Sequence, residues 1–291
     1  MACVVEPCDG ASDGAPTIHG DGSRDPIDAS MAASDGFAMP DSSQIGDSGQ
    51  DGNPANADEG DATAIQDAPP DFAPPDAPPA DTGTGPGGLL YYFPLAADTN
   101  DYSGNGNNAT SNGTMPTTGH SGKMNSAQLF NGTTAYMTAP GSKLPVAIAP
   151  RTLTLWVNPT NRVYSIAGWG LANCTGPTGG TMFSLGSAPN EFWGGCDDVG
   201  DGVGPPLGTW TFLAAVFSTP GQVRIFVNRT AATYNLPTNL NTKQSLLWVG
   251  AATRTNDANV TFNYFGGAID SIRIYDHALS DAEVGVVMGL P

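Results

Sequence analysis

The first 86 residues contain no tryptophan and no tyrosine, and they set a single base, Arg24, against 17 Asp and Glu. Phe37 and Phe72 are their only aromatic residues. A stretch of that kind cannot bury enough apolar area to offset the entropy of ordering its backbone, so it is predicted to be disordered. Other scarcities narrow the function. Only 10 Lys and Arg occur in 291 residues, for a net charge of −18, and no basic stripe offers phosphates a grip, which excludes nucleic acid as a partner. No apolar run approaches the roughly 18 residues that span a bilayer, and no apolar signal-peptide core is present. Four cysteines without a Cys-x-x-Cys, and three histidines (His19, His120, His277) distant from them in sequence, exclude a zinc knot. G-x-S-x-G, P-loop and His-rich metal motifs are missing as well.

What is present divides the chain in two. Residues 1–86 carry a charge of −16, and residues 87–291 only −2. The first part is rich in Asp, Ala, Gly, Pro and Ser, and between Ala68 and Pro79 it repeats a Pro-Pro-Asp theme. Proline stiffens this segment towards polyproline II and the aspartates repel one another, so it reads as an extended, solvated spacer. An acidic calcium-binding tail is the rival reading, but the acids lack the fixed spacing of a coordinating loop. Cys3 and Cys8 are out of place in such a tail. Cys3 after the small Ala2 resembles the start of a bacterial lipoprotein that has lost its signal peptide, which implies a lipid on Cys3 and a stalk that holds a distal domain away from the membrane.

Gly87-Gly88 marks the domain boundary, and the roughly 200 residues that follow suffice for one two-layer core. Leu89–Leu95 reads as the first strand. Short alternating segments continue through Thr152–Val157, Trp210–Ser218 and Gln222–Asn228, punctuated by Asn131-Gly132, Asn158-Pro159 and Thr219-Pro220-Gly221. That pattern predicts an all-β antiparallel sandwich. In the last strand Ile269, Ser271, Arg273 and Tyr275 are expected to face one way, and Ala268, Asp270, Ile272 and Ile274 the other. A short closing helix follows, with Ser280 as N-cap, Glu283 completing a capping box, and Val284, Val287 and Met288 forming its apolar stripe. Asp270 on an apolar strand face needs a partner, and a cation is one candidate.

Three stretches carry a family resemblance. The closing run Gly267–Glu283, the aromatic strand followed by Asp98–Thr110 with Ser103-Gly104-Asn105-Gly106-Asn107 at its centre, and the Thr209–Asn228 hairpin resemble the LamG-like jelly-roll domains of the concanavalin A-like lectin/glucanase superfamily. The resemblance covers residues 89 to 288. It implies a two-sheet jelly roll whose first and last strands lie near each other. On that footing Asp101, Asn105 and Asn107 with Asp270 are the candidate ligands of a structural calcium ion, which takes six to eight oxygens. The bland alternative is that Asp101 caps its turn and Asp270 pairs with an arginine.

Cys174 and Cys196 bracket a Gly/Pro/Thr-rich segment. In an oxidising compartment they are expected to form a disulfide worth roughly 3 kcal/mol, with two free buried thiols as the alternative. Trp169, Trp193, Asp197, Asp198 and Asp201 form the candidate ligand-binding set, because indole faces beside carboxylates suit sugar C–H faces and hydroxyls. An acidic solvated loop with both indoles in the core, or a second calcium site, explains the same residues. Trp156, Trp210 and Trp248 sit in apolar strands and are expected in the core. Concanavalin A-like glucanases alternate two Glu and one Asp along a strand, but this domain has only Glu191 and Glu283, apart from each other. The expectation is therefore a non-catalytic extracellular or cell-surface module that recognises carbohydrate or a glycosylated surface. An assembly module and a divergent glycoside hydrolase remain open.

Overall fold

The computed structural model describes residues 85–162, 165–172, 180–186, 192–218, 221–253 and 261–291. The chain separates into two units, Met1–Asp67 and Ala68–Pro291, and every described residue lies in the second. The acidic tail up to residue 84, Cys3, Cys8 and Cys174 lie outside the described residues.

The elements are β1 (Leu89–Phe93), β2 (Thr110–Asn112), β3 (Met115–Thr117), β4 (Ala127–Asn131), β5 (Tyr136–Ala139), β6 (Arg151–Pro159), β7 (Ala167–Gly170), β8 (Met182–Leu185), β9 (Phe192–Trp193), β10 (Thr211–Ser218), β11 (Gln222–Val227), β12 (Thr230–Asn235), β13 (Leu247–Val249), β14 (Ala252–Thr253), β15 (Thr261–Phe262), β16 (Gly266–Tyr275) and α1 (Asp281–Met288). One antiparallel sheet runs β12-β11-β10-β6-β16-β4-β3, with β1 also paired to β16. A second runs β2-β5-β13-β7-β8-β9, and β14 pairs with β15 apart from both. The predicted two-sheet sandwich with one short helix is what the chain forms.

Period-two alternation builds the core between the sheets. Leu153, Leu155 and Val157 of β6, with Leu213, Ala215 and Phe217 of β10, point inward against Phe183, Leu185, Leu247 and Val249 of the facing sheet, and all are buried. The outer face of the larger sheet is covered in part as well. Phe212, Val216, Phe226 and Tyr275 pack beneath Val284 and Val287 of α1. The helix starts as its capping box requires. Ser280 Oγ accepts from the Glu283 N–H, and the Ser280 N–H donates to Glu283 Oε2 at 2.8 Å.

The last strand departs from the expected alternation. Asp270 lies opposite Trp156 and Arg273 opposite Thr154, so three steps along β16 match two along β6. The extra residue is Ser271, buried at φ 52°. This β-bulge flips the phase of the strand. Ile269 therefore joins Ile272 and Ile274 in the core, and Asp270 shares the outer face with Trp156. The expectation that Asp270 accompanies Ile272 and Ile274 was wrong for that reason.

Candidate functional site

The tryptophan-and-acid loop does not assemble as a sugar platform. Trp169 is 1% exposed and points into the core, where it packs on Phe183 at 4.9 Å between ring centres and its Nε1 donates to the Pro145 carbonyl at 2.7 Å. Beneath it lies Arg151, fully buried, whose guanidinium donates to the carbonyls of Pro145, Ala147 and Ala149 at 2.6–2.8 Å. Burial pushes that guanidinium down to about 9. Trp193 pairs with Ser184, while its neighbour Phe192 enters the core, so Trp193 is on the opposite face of the sheet from Trp169. The two indoles cannot flank one groove. Asp197 is 1% exposed and spent on structure: it accepts from the Gly180 N–H and from the Thr238 N–H and hydroxyl. Asp198 accepts the N–H groups of Gly194 and Gly195, and Asp201 that of Val203. Desolvation raises the Asp198 pKa against the lowering effect of those donors. Cys196 is exposed at φ 137°, and its expected partner Cys174 is outside the described residues.

The expected calcium ligands do not form one site either. Asp101 Oδ1 accepts the N–H groups of Tyr92 (3.0 Å) and Ser103 (2.9 Å), and Oδ2 accepts those of Asn107 from backbone (2.9 Å) and side chain (3.1 Å). Four N–H dipoles present their positive ends where a cation would sit. Asn105 spends its amide on the carbonyls of Leu89 and Leu90. Asp270 has separate partners, described below. Among the described residues no three His, Cys, Asp or Glu gather as a metal-holding group. These hydrogen bonds make Asp101 the cap of its Asn/Gly turn.

Asp270 instead helps to build a cleft that the sequence did not reveal. The phase change places its carboxylate on the outer face, where Oδ2 accepts the His120 N–H at 3.0 Å and lies 2.7 Å from His120 Nδ1, while Oδ1 accepts the Ser271 hydroxyl at 2.9 Å. The imidazole stacks on Trp156, 4.5 Å away and 5° from parallel, with Trp210 at its edge. The loop that carries His120 packs so closely that a Cβ on Gly119 would lie 2.2 Å from Ser126 Oγ and 2.5 Å from Asp270 Oδ2. The ring lines a small cleft of about 100 Å³, with Tyr92, Pro94, Ala96, Lys123, Ser126 and Ser271 among its walls.

The backbone around this cleft is unusual. Leu95 (φ 58°), Ala97 (φ 66°), Asn125 (φ 54°) and Ser271 (φ 52°) are four of the eight non-glycine residues with positive φ among those described, and all line it or adjoin its lining. Asparagine tolerates this conformation; leucine, alanine and serine adopt it at a cost of about 1–3 kcal/mol each. Such strain persists only where the surroundings over-determine it, and it gathers at ligand sites. A second concavity, between β11–β12 and α1, is the seam of the helix on the sheet. Its Asp281 is taken by Arg224.

Histidine 120 escaped notice because it stands alone in a Gly/Ser-rich loop, 150 residues from its carboxylate. The one available sign was Asp270 itself, an acid in an apolar strand that required a partner.

Residues 131–285 match the family described as the concanavalin A-like lectin/glucanases superfamily. No curated protein sequence matches the chain. Among solved structures, domain 4 of AbnA, a GH43 extracellular arabinanase from Geobacillus stearothermophilus in complex with arabinotriose, is 21% identical over 69% of this chain and 98% of its own, with a TM-score of 0.49. The binding domain of Paraclostridial Mosquitocidal Protein 1 is 12% identical over 69% of this chain and 52% of its own, with a TM-score of 0.46. Trypanosoma rangeli sialidase in complex with 2,3-difluorosialic acid is 13% identical over 69% of this chain and 33% of its own, with a TM-score of 0.46. The chain thus spans about half of the toxin domain and a third of the sialidase.

Proposed function

The chain belongs to the concanavalin A-like lectin/glucanases superfamily, and from that premise we propose that its folded domain is a non-catalytic carbohydrate-binding module of an extracellular or cell-surface protein, with the His120 cleft as its binding site. The observation that carries this reading is the make-up of the cleft. Its walls at Pro94 and Ala96 are apolar, as the C–H face of a sugar ring requires, and a held imidazole and the Lys123 ammonium stand among them. Its volume of about 100 Å³ lies below the range of about 300–1,000 Å³ usual for small-ligand sites, so it would take the edge of one sugar ring rather than enclose a ligand.

Binding is preferred to hydrolysis because glycoside cleavage uses two carboxyl groups about 5–9.5 Å apart. The lining of this cleft includes one carboxylate, Asp270, and three hydrogen bonds already occupy it. The acidic first part of the chain would serve as a tether and Cys3 as its lipid anchor, consistent with a module held out from a cell surface.

The test is a glycan array probed with the full chain and with Ala96→Trp, which fills the cleft with an indole. Retention of glycans by the parent and its loss in the variant are expected. Failure to retain any glycan overturns the reading, as does release of reducing sugar, which makes the protein a hydrolase.

A further inference from the structure

We infer that His120 is the specificity-determining group of this cleft: its Nε2 accepts a hydrogen bond from a ligand hydroxyl, while Lys123 donates to the neighbouring oxygen, so the site selects neutral glycans with vicinal hydroxyls over anionic ones. The inference rests on the carbohydrate reading above and adds the chemical class of the ligand.

The argument begins with the proton. An ionised carboxylate can only accept, and Asp270 Oδ2 already accepts the backbone N–H of His120. The 2.7 Å approach of Nδ1 to the same oxygen therefore requires the hydrogen on Nδ1. In the neutral ring this leaves Nε2 with a bare lone pair. Among the described residues Nε2 has no partner. The ring cannot readily turn to exchange its nitrogens, because one face lies flat on Trp156 and Trp210 meets it at 73°. The tautomer and the direction of the acceptor are thus set before any ligand arrives, which lowers the ordering cost of binding.

The other side chains of the lining are largely spent. Ser126 Oγ donates to the Lys123 carbonyl, Ser271 Oγ to Asp270, and Tyr92 OH to the Pro291 carbonyl. Lys123 forms no ion pair among the described residues. One fixed acceptor and one mobile donor in the same cleft match a diol: one hydroxyl gives its hydrogen to Nε2, and its neighbour accepts from the ammonium. A carboxylate or sulfate would satisfy Lys123, but it would set its own lone pairs against that of Nε2, with the Asp270 charge behind the ring.

Two measurements on the full chain test this. Nitrogen NMR of protein labelled in its histidines should show a pyrrole-type Nδ1 and a pyridine-type Nε2 for the neutral His120 ring. The opposite tautomer overturns the inference without any ligand. Affinity electrophoresis in gels containing laminarin, dextran, xylan, arabinan or polygalacturonate then reads binding. His120→Asn keeps an N–H donor for Asp270 where Nδ1 stood and has nothing at the place of Nε2. It should melt like the parent yet bind the neutral polysaccharide at least about tenfold more weakly, since a buried polar partner left unpaired costs on the order of 1.4 kcal/mol or more. Lys123→Met, an exposed change, should weaken the same binding without altering the fold. Binding that survives both variants, or polygalacturonate held as tightly as the neutral chains, overturns the inference and leaves the carbohydrate reading intact. No retention in any of the gels sinks the carbohydrate reading and the inference with it.

Discussion

Replacing Asp270 with alanine should be among the most damaging single changes available outside the core. The residue is 3% exposed and its carboxylate receives three hydrogens, from the His120 backbone, the His120 ring and the Ser271 hydroxyl. Each donor left unsatisfied away from water costs about 1–3 kcal/mol. The His120 ring is partly exposed and the Ser271 hydroxyl can rotate, so water and rearrangement recover part of the loss. A net destabilisation of about 3–5 kcal/mol is expected, as for removal of one member of a buried pair. At about 2–4 °C per kcal/mol for a domain of this size, the melting temperature should fall by about 6–20 °C. Urea unfolding followed by tryptophan fluorescence gives the free energy directly. Asp270→Asn retains one acceptor oxygen and should lose about half as much. A double-mutant cycle with His120→Ala should return a coupling of about 1–2 kcal/mol, since the two residues share their bonds. A loss below about 1 kcal/mol for Asp270→Ala, or additive single effects, would show that the bond seen here does not hold the loop to the bulge.

Other expectations follow from the same geometry. Trp169→Ala removes a buried indole and its bond to Pro145, so it should cost about 3–5 kcal/mol or prevent folding, whereas Trp193→Ala should fold; equal melting temperatures for the two would refute their assignment to opposite faces. Asp101→Ala should lower the melting temperature by the same amount in EDTA and in millimolar Ca²⁺, because N–H groups rather than a cation fill its carboxylate; a loss seen only in Ca²⁺ would restore the calcium site. Bonds from Ser280 hold the Glu283 pKa below its ordinary value, so the stability this carboxylate adds is present above the unfolded-state pKa and lost as pH falls through the lowered folded-state value. Ser280→Ala should raise the Glu283 pKa in an NMR titration and fray the start of α1, and an unchanged titration would discount the capping box.

Much of the fold was legible because its signals are local. Alternation placed β6, β10 and β11 to within two residues at each end, and Ser280 with Glu283 announced the helix. The short, mostly exposed strands β2 and β3 were missed, since three residues without an apolar face leave no pattern to read. The site failed for a different reason. One inserted residue, Ser271, reverses which side of β16 carries Asp270, and nothing in the composition of Ala268–Tyr275 shows where a strand bulges. Trp169 ends the alternating segment Val163–Trp169, which reads as a strand but does not show which of its faces turns inward. What buries it is Arg151, a charged residue whose place inside the core depends on three carbonyls brought together only by the fold. His120 illustrates the same limit, because a bond across 150 residues has no local signature.

The central claim, that the His120 cleft binds a glycan, is tested most directly by a backbone amide shift map of the ¹⁵N-labelled chain, titrated with the neutral oligosaccharide best retained on the array. Saturable shifts should concentrate at Ala96, His120 to Lys123 and Ser271. Shifts gathered instead on Trp193 to Gly202 would contradict the claim and return the binding site to the acidic loop.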